Sequence, residues 1–441
     1  MKKEFISILK KLTSCTFRKR ESAAFCFLVS VIWNCGLFFP LQGQISLPQC
    51  RDSAYAHYPF SRKYDLIRQA CEYNLSNVAK GYLPQGTLGA QALWQSQVTS
   101  IPVKVPGLVI PRLSKDQYRV QLEINQLLYD GGRIGSQKNV IRNASFAEEK
   151  EWEVAMYSVY EQVDQLYFGI LLLEEKIVLN DLLQADLKRN LYQIEQSLKY
   201  GVATPTDIDE MQVALLDARQ QRIDLDNGLL MYRKMLSLLT GIPAGKLIQL
   251  MRPSGVLPRG WVNHRPELDL IDAGLNVVKA KERQLTASKR PVLGLFLQGI
   301  YGRPGLNMLQ NKFDYGWVGG IRLSYSFSSL YTLKKEKALL DNERLRLHVE
   351  RSTFLFNTDL QLINRQTDLK RILDLLQQDD EIIRLRGNIV KASEAKLRNG
   401  TIQVNDLLRD ISSENRALQQ KALHEIESLQ TIWKMKQLTN N

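Results

Sequence analysis

Between residues 119 and 125 apolar and polar side chains alternate with a period of two. Val120, Leu122 and Ile124 share one face; Arg119, Gln121, Glu123 and Asn125 share the other. Successive side chains of an extended chain point to opposite faces, so this is the pattern of an amphipathic strand. A second clean case follows, where Ile321, Leu323, Tyr325 and Phe327 alternate with Arg322, Ser324, Ser326 and Ser328. Less regular partners lie upstream of each: Leu88, Ala90, Ala92 and Trp94 against Thr87, Gly89, Gln91 and Leu93, and then Leu293, Leu295, Leu297 and Tyr301. The pattern predicts strands over about 84–96, 118–129, 291–301 and 317–328. The turn-rich stretches 100–117 and 302–314 then join them into two hairpins.

After Gly132 the period changes to that of a helix. Val159, Val163, Leu166, Ile170, Leu173 and Ile177 step by four and three, Leu187, Leu191, Ile194 and Leu198 resume the pattern, and Leu369, Leu376, Ile383, Val390 and Leu397 recur every seven residues. Such heptads form the seam of a coiled coil. A helix over 133–199 would run on the order of 100 Å at about 1.5 Å per residue, far beyond what a globular core covers. Ile208, Met211, Leu215, Leu225, Leu229, Leu236 and Leu239 place a returning helix after it, and shorter helices precede the strands over about 55–80 and 266–289.

The two halves are one pattern written twice. Leu198-Lys199-Tyr200-Gly201 and Leu397-Arg398-Asn399-Gly400 lie 199 positions apart, and the same offset carries Leu122 onto Ile321, Ile170 onto Leu369, Leu191 onto Val390 and Asp207 onto Asp406. Upstream the offset becomes 207, since Pro84 matches Pro291 and Trp94 matches Tyr301. The difference falls in the loop between Trp94 and Tyr118. The expected organisation is a leader 1–43, a first repeat 44–240, a Gly- and Pro-rich linker 241–263 and a second repeat 264–441. A duplicated helix-strand-strand-helix unit points to a pseudo-symmetric structural object rather than to one grafted active site.

Each long helix ends in a glycine. The run from Gly201 to Asp207 reads as a glycine C-cap, a short turn, Thr204 as N-cap, Pro205 at the first helical position and Asp207 at the third; Gly400 to Asp406 is its counterpart. Capping by itself accounts for Gly201, Thr204 and Asp207, so a functional role at these tips needs a separate argument.

Composition narrows the picture further. The formal net charge is +13, but seven Lys and Arg against two Glu within residues 1–21 supply much of it. They precede an apolar run over 23–39, the order of a secretory signal, with Gly43 as a small residue before the cut and Leu41 departing from the usual small one. No later stretch approaches the roughly 18 apolar residues of a membrane-spanning helix, so a chain that crosses a membrane must do so with strands. Amphipathic strands suit a soluble sheet on a core, or a barrel wall with lipid on one face and water on the other; four are too few to close a barrel, so several copies would have to contribute. The basic residues do not interleave with stacking aromatics, which argues against nucleic acid. Cys50 and Cys71 follow the leader into an oxidising compartment, with their pairing left open. Motifs for zinc, phosphate or dinucleotide binding are missing, and His57, His264, His348 and His424 have no partner at metal-ligand spacing. Asp379-Asp380-Glu381 reads as a solvated helix face. Nothing asks for catalysis, a metal or a cofactor.

These residues carry a resemblance to the TolC-like outer membrane efflux proteins. That family repeats a helix-strand-strand-helix unit with tips bearing glycine and, six residues on, aspartate; Gly201 with Asp207 and Gly400 with Asp406 match. Tyr129-Asp130-Gly131-Gly132-Arg133, Pro84 and Pro291, and Arg265-Pro266-Glu267-Leu268 look like further family motifs, and the resemblance covers residues 50–437. It implies an α+β membrane protein of the Gram-negative outer membrane, mostly periplasmic, acting as a homotrimer. Four strands per chain would close a twelve-stranded β-barrel over a periplasmic α-barrel of long coiled-coil helices. The tips Gly201, Val202, Ala203, Thr204, Gly400, Thr401 and Ile402 would dock a periplasmic adaptor fed by an inner-membrane pump, making the chain a passive exit duct for efflux or type I secretion. Asp207, Asp406, Arg409 and Asp410 would flank the periplasmic entrance, and Arg119, Gln121, Glu123, Asn125, Arg322, Ser324 and Ser326 would face the barrel lumen. The chain departs from the best-known member by carrying Arg409, with Asp410 beside it, where a second aspartate narrows the entrance. The alternative is a periplasmic coiled-coil adaptor or structural protein without channel activity.

Overall fold

The computed structural model describes residues 44–98, 113–257, 260 and 262–440. The expected leader 1–43 and much of the first hairpin loop lie outside the described residues. The following concerns the body from Ser46 onward. In chain order it contains α1 (Leu47–His57), α2 (Lys63–Ala79), β1 (Gln85–Trp94), β2 (Asp116–Tyr129), α3 (Arg133–Lys199), α4 (Pro205–Thr240), α5 (Pro266–Ala287), β3 (Val292–Arg303), β4 (Asp314–Ser324), α6 (Ser329–Arg398) and α7 (Val404–Thr439).

The strands form one antiparallel sheet in the order β1-β2-β3-β4. The register places Leu122 opposite Leu88 and Gly299, and Glu123 opposite Thr87 and Gln298, so the apolar rows of β1 and β2 align on one face, while Phe296, Ile300 and Val318 join the polar residues on the other. The apolar face is the open one. Leu122 remains 48% exposed and Ile321 and Leu323 each 69%, whereas the Glu123 side chain is 22% exposed. The duplication has an outcome in three dimensions: Glu123 and Arg322 occupy the same position of the two repeats, and their side chains meet at 3.3 Å. At the loop end Arg303 pairs with Asp116 and stacks over Tyr118 and Phe313.

The fourth strand is shorter than its alternation predicts. It ends at Ser324, opposite Val292, because Pro291 brings no N–H with which to extend the ladder. Ser326 therefore lies past the strand, in a turn where its carbonyl accepts from the Ser329 hydroxyl at 2.7 Å. It does not belong to the polar strand face with Arg322 and Ser324.

The first strand-to-helix junction explains the Asp-Gly-Gly run. Gly131 and Gly132 adopt φ of 70° and 85°, a left-handed conformation open chiefly to glycine. Asp130 is buried, and its carboxylate accepts from Gly132 N and Ile134 N, each at 2.7 Å, capping the start of α3. Arg133 turns back to donate to the Ser288 carbonyl at 2.7 Å, tying the junction to the end of α5. At the second junction Ser328 makes no side-chain cap, so the pseudo-symmetry stops there.

The helices pack as two hairpins, α3 with α4 and α6 with α7, joined where α3 and α4 meet α7. Shorter helices complete the columns. The end of α7 abuts the start of α5, with His264 N donating to the Thr439 carbonyl at 2.8 Å, so helices of 36 and 22 residues run beside the 70 residues of α6. Near the tips both hairpins share one core in which Ile194, Met211, Val404, Leu407 and Ile411 are buried. Leu407 is fully enclosed. Leu407→Ala should cost about 2–5 kcal/mol through lost contacts and the cavity left behind. The measurement is thermal or denaturant unfolding, and a change below about 1 kcal/mol would mean that the hairpins do not share this core.

Candidate functional site

Two regions gather the polar residues singled out in the sequence: the paired hairpin tips and the polar face of the sheet. At the first tip α3 closes through Gly201 with φ 73°; Gly201 N reaches the Leu198 carbonyl at 3.0 Å and Val202 N the Ser197 carbonyl at 3.0 Å. This double bond pattern satisfies the last carbonyls of the helix. Thr204 and Asp207 then form a reciprocal cap, Thr204 N donating to the Asp207 carboxylate at 2.7 Å and Asp207 N to the Thr204 hydroxyl at 3.3 Å. At the second tip Gly400, φ 65°, repeats the closure, with Thr401 N on the Lys396 carbonyl at 3.0 Å. The cap is not repeated. Gln403 stands where Thr204 stood and makes no side-chain bond to the helix start.

The tips lie against each other, since a Cβ on Gly400 would come within 3.7 Å of the Val202 side chain. They are not uniformly exposed. Ala203 and Ile402 turn inward onto the shared core, while Gly201, Val202, Thr204, Gly400 and Thr401 are exposed. Tyr200, 83% exposed beside them, is a tip residue that glycine-centred reading missed. Its signal was an aromatic at a helix end with no apolar partner at heptad spacing.

The four charged residues of the expected entrance are mostly committed. Asp207 is held by its cap. Asp406, expected to cap α7, instead pairs with Arg409 at 3.2 Å, because its N-cap neighbour offers no hydroxyl. Asp410 accepts from the Ser393 hydroxyl at 2.7 Å and so faces α6. On the sheet, Arg119, Gln121, Glu123, Asn125, Arg322 and Ser324 share one face, and the Arg322 guanidinium lies 4.5 Å from the Phe296 ring centre while bonded to Glu123.

Two polar groups deep among the helices were not legible from the sequence. Asp164 is buried and receives the Arg51 guanidinium, which also lies 5.2 Å from the Trp433 ring centre. Burial raises the Asp164 pKa, and the bonds from Arg51 oppose that shift. Asp379, read as part of a solvated acidic face, is instead buried and bonded to His424 at 2.6 Å between α6 and α7. Asp380 and Glu381 keep the expected exposure, so only one residue in the run points inward, as helical geometry requires. Cys50 and Cys71 are both free thiols; Cys50 is buried, and burial pushes its pKa up to about 12. Among the described residues no group of three or more His, Cys, Asp or Glu could hold a metal ion.

Residues 63–241 match the model of the outer membrane efflux protein family. No curated protein matches the chain significantly in sequence. Among solved structures the fold is similar to that of CusC, in work on folding and transmembrane channel formation, at 14% identity and TM-score 0.65 over 89% of this chain and 91% of that one. It is also similar to the outer membrane protein VceC from Vibrio cholerae, at 10% identity and TM-score 0.64 over 90% and 96%. The MtrE outer membrane channel of Neisseria gonorrhoeae, in its open state, aligns at 14% identity and TM-score 0.61 over 90% and 89%. At these identities the fold is what is shared.

The difference between the tips gives a prediction. Thr204→Ala should destabilise the start of α4 by about 1 kcal/mol, and Gln403→Ser should stabilise the start of α7 by a similar amount. Amide hydrogen exchange over 205–208 should speed up in the first variant, and exchange over 404–407 should slow in the second. Equal behaviour of the two tips would show that the capping difference has no energetic weight.

Proposed function

We propose, for a chain that is TolC-like in fold and matches the outer membrane efflux protein family in sequence over residues 63–241, that it is an outer-membrane exit duct. The observation that carries this reading is the exposed apolar face of the sheet, built from residues such as Leu88, Val120, Leu122, Leu297, Trp317, Ile321 and Leu323. A soluble chain buries such a face; lipid is the solvent that accepts it. Tyr118, Tyr301 and Tyr315 at the loop end, and Tyr129 at the helix end, occupy the positions of interfacial aromatic girdles.

Lipid adds a second requirement. An edge strand in hydrocarbon must pair, and among the described residues of one chain β1 and β4 are both edges. We read the assembly as a homotrimer in which β4 of one copy pairs with β1 of the next, a head-to-tail contact that closes as a ring of twelve strands. The helices offer the same logic. α6 exposes Leu345, Val349, Phe356, Leu360 and Ile363, and α4 exposes Val213, Leu216, Ile223 and Leu230, at coiled-coil spacing. In the ring, α6 of one copy lies beside α4 of the next to form a periplasmic tunnel. Arg119, Gln121, Glu123, Asn125, Arg322 and Ser324 would then face the water of the barrel.

The tips are the end of that tunnel and the docking site for a periplasmic adaptor fed by an inner-membrane pump. Val202, Thr204 and Thr401, with Tyr200, form the surface on offer; Ala203 and Ile402 support it from beneath. Asp406 with Arg409 makes a neutral pair at the entrance, and Asp410 is turned toward Ser393. Transport through the duct is passive, driven by the pump. The residues 1–43, read as a signal segment, would deliver the chain to the periplasm.

Leu122→Arg or Leu323→Arg should impair membrane assembly, at about 2–4 kcal/mol per chain near mid-bilayer. Glu123→Gln should assemble normally and alter single-channel conductance. Equal tolerance of the two kinds of change, or recovery of the wild type among soluble periplasmic proteins, rejects the duct. Separately, Gly400→Val strains a left-handed residue by about 1–3 kcal/mol, little beside a trimer held by very long helices. Trimer yield should hold while cross-linking to the adaptor and drug resistance fall. Variants that lose trimers, or retain full cross-linking and export, leave the tips a structural role only.

A further inference from the structure

A polar cavity of about 360 Å³ lies where α3, α5, α6 and α7 converge, well away from tips and sheet. Its charges are unevenly satisfied. Arg265 and Glu267, from the start of α5, bond to each other, with Arg265 Nε at 2.9 Å from the carboxylate. Arg365 of α6 has, among the described residues, only Asp368, one turn along its own helix and at 3.9 Å. Lys434 of α7 makes no hydrogen bond or ion pair among the described residues. Glu161 of α3 lines the same cavity without closing an ion pair to Lys434.

Lys434 and Arg365 thus face one half-buried space as like charges. Burial lowers the Lys434 pKa, and the neighbouring Arg365 lowers it further, against individually smaller opposing pulls from Glu161, Asp164 and Glu427. Of those three, Asp164 is already engaged by Arg51. A cation held in this way lacks an acceptor rather than solvent, and a tetrahedral oxyanion supplies acceptors to an ammonium and a guanidinium together. The side-chain amides of Gln361 and Gln437 line the same space and bring further donors.

We propose that this cavity is a binding site for a small oxyanion of the phosphate class, held between Lys434 and Arg365. The bound anion would relieve the repulsion between α6 and α7 and join them opposite α3, stiffening the root of the second hairpin. Glu161 restricts the site to a compact anion, since a larger polyanion would be driven onto its carboxylate.

The test uses full-length protein in detergent and needs no transport activity, so its outcome is independent of the duct reading. Inorganic phosphate should raise the unfolding temperature saturably above sodium chloride at matched ionic strength and pH. Lys434→Gln should abolish that response and, in chloride alone, unfold at a higher temperature than wild type, because the repulsion from Arg365 is gone. A lysine with a merely structural role would shift the other way. Arg365→Gln should also lose the phosphate response. Indistinguishable effects of phosphate and chloride on the wild type, or a phosphate rise retained in Lys434→Gln, would overturn the proposal.

Discussion

A helix of 70 residues that buries almost nothing within its own chain is the constraint from which the rest of this structure follows. In α6 only Thr358, Leu369, Ile372, Asp379, Val390 and Ser393 are buried. Helix propensity alone does not hold so long an element straight; packing of an apolar stripe does. α7 covers one seam of α6 and leaves another, marked by Val349, Phe356 and Ile363, exposed among the described residues. The sheet has the same deficit in a different form, with an open apolar face and, among the described residues, two unpaired edges. In the proposed ring these exposed surfaces lie on opposite flanks of one chain, so that neighbouring copies would cover them.

Duplication created the pseudo-symmetry, and the positions where it breaks are those under local physical demand. The first strand-to-helix junction turns through two left-handed glycines and is capped by a buried aspartate; the second has serines and no side-chain cap. The first tip has a reciprocal Thr-Asp cap; at the second the aspartate is released to pair with an arginine. Glu123 and Arg322 diverged to opposite charges at equivalent positions and bond to each other across the sheet. Equivalent backbone thus carries different side-chain bonds at the two junctions and the two tips.

Polar groups buried in the helical columns tie particular residues of neighbouring helices together and so constrain their register. A seam of Leu, Ile and Val tolerates sliding by a heptad, whereas Asn180, donating to the Ala218 carbonyl at 3.0 Å, does not. The Arg51–Asp164 pair holds α1 against α3, and the His424–Asp379 bond spans the second hairpin. Removing one partner of such a pair strands a buried polar group, which costs more than the pair contributes when intact.

Periodicity alone was enough to place strands and heptads, because the period of two and the seven-residue repeat are properties of consecutive side chains. Val120-Leu122-Ile124 and Leu369-Leu376-Ile383-Val390 announced their elements without reference to anything distant. The glycine C-caps and the Thr204–Asp207 cap were legible for the same reason: their partners lie within a few residues. What the sequence did not disclose depends on residues far apart in the chain. Pro291 ends β4 at Ser324 from the neighbouring strand; Asp379 is buried because His424 reaches it from the returning helix; Asp410 accepts from Ser393 across the second hairpin. Ala203 and Ile402 look like exposed tip residues until two hairpins, nearly 200 residues apart in sequence, are pressed together. Local pattern determines which element forms and which face is apolar, but a charge or an edge finds its partner only when the chain has closed in three dimensions.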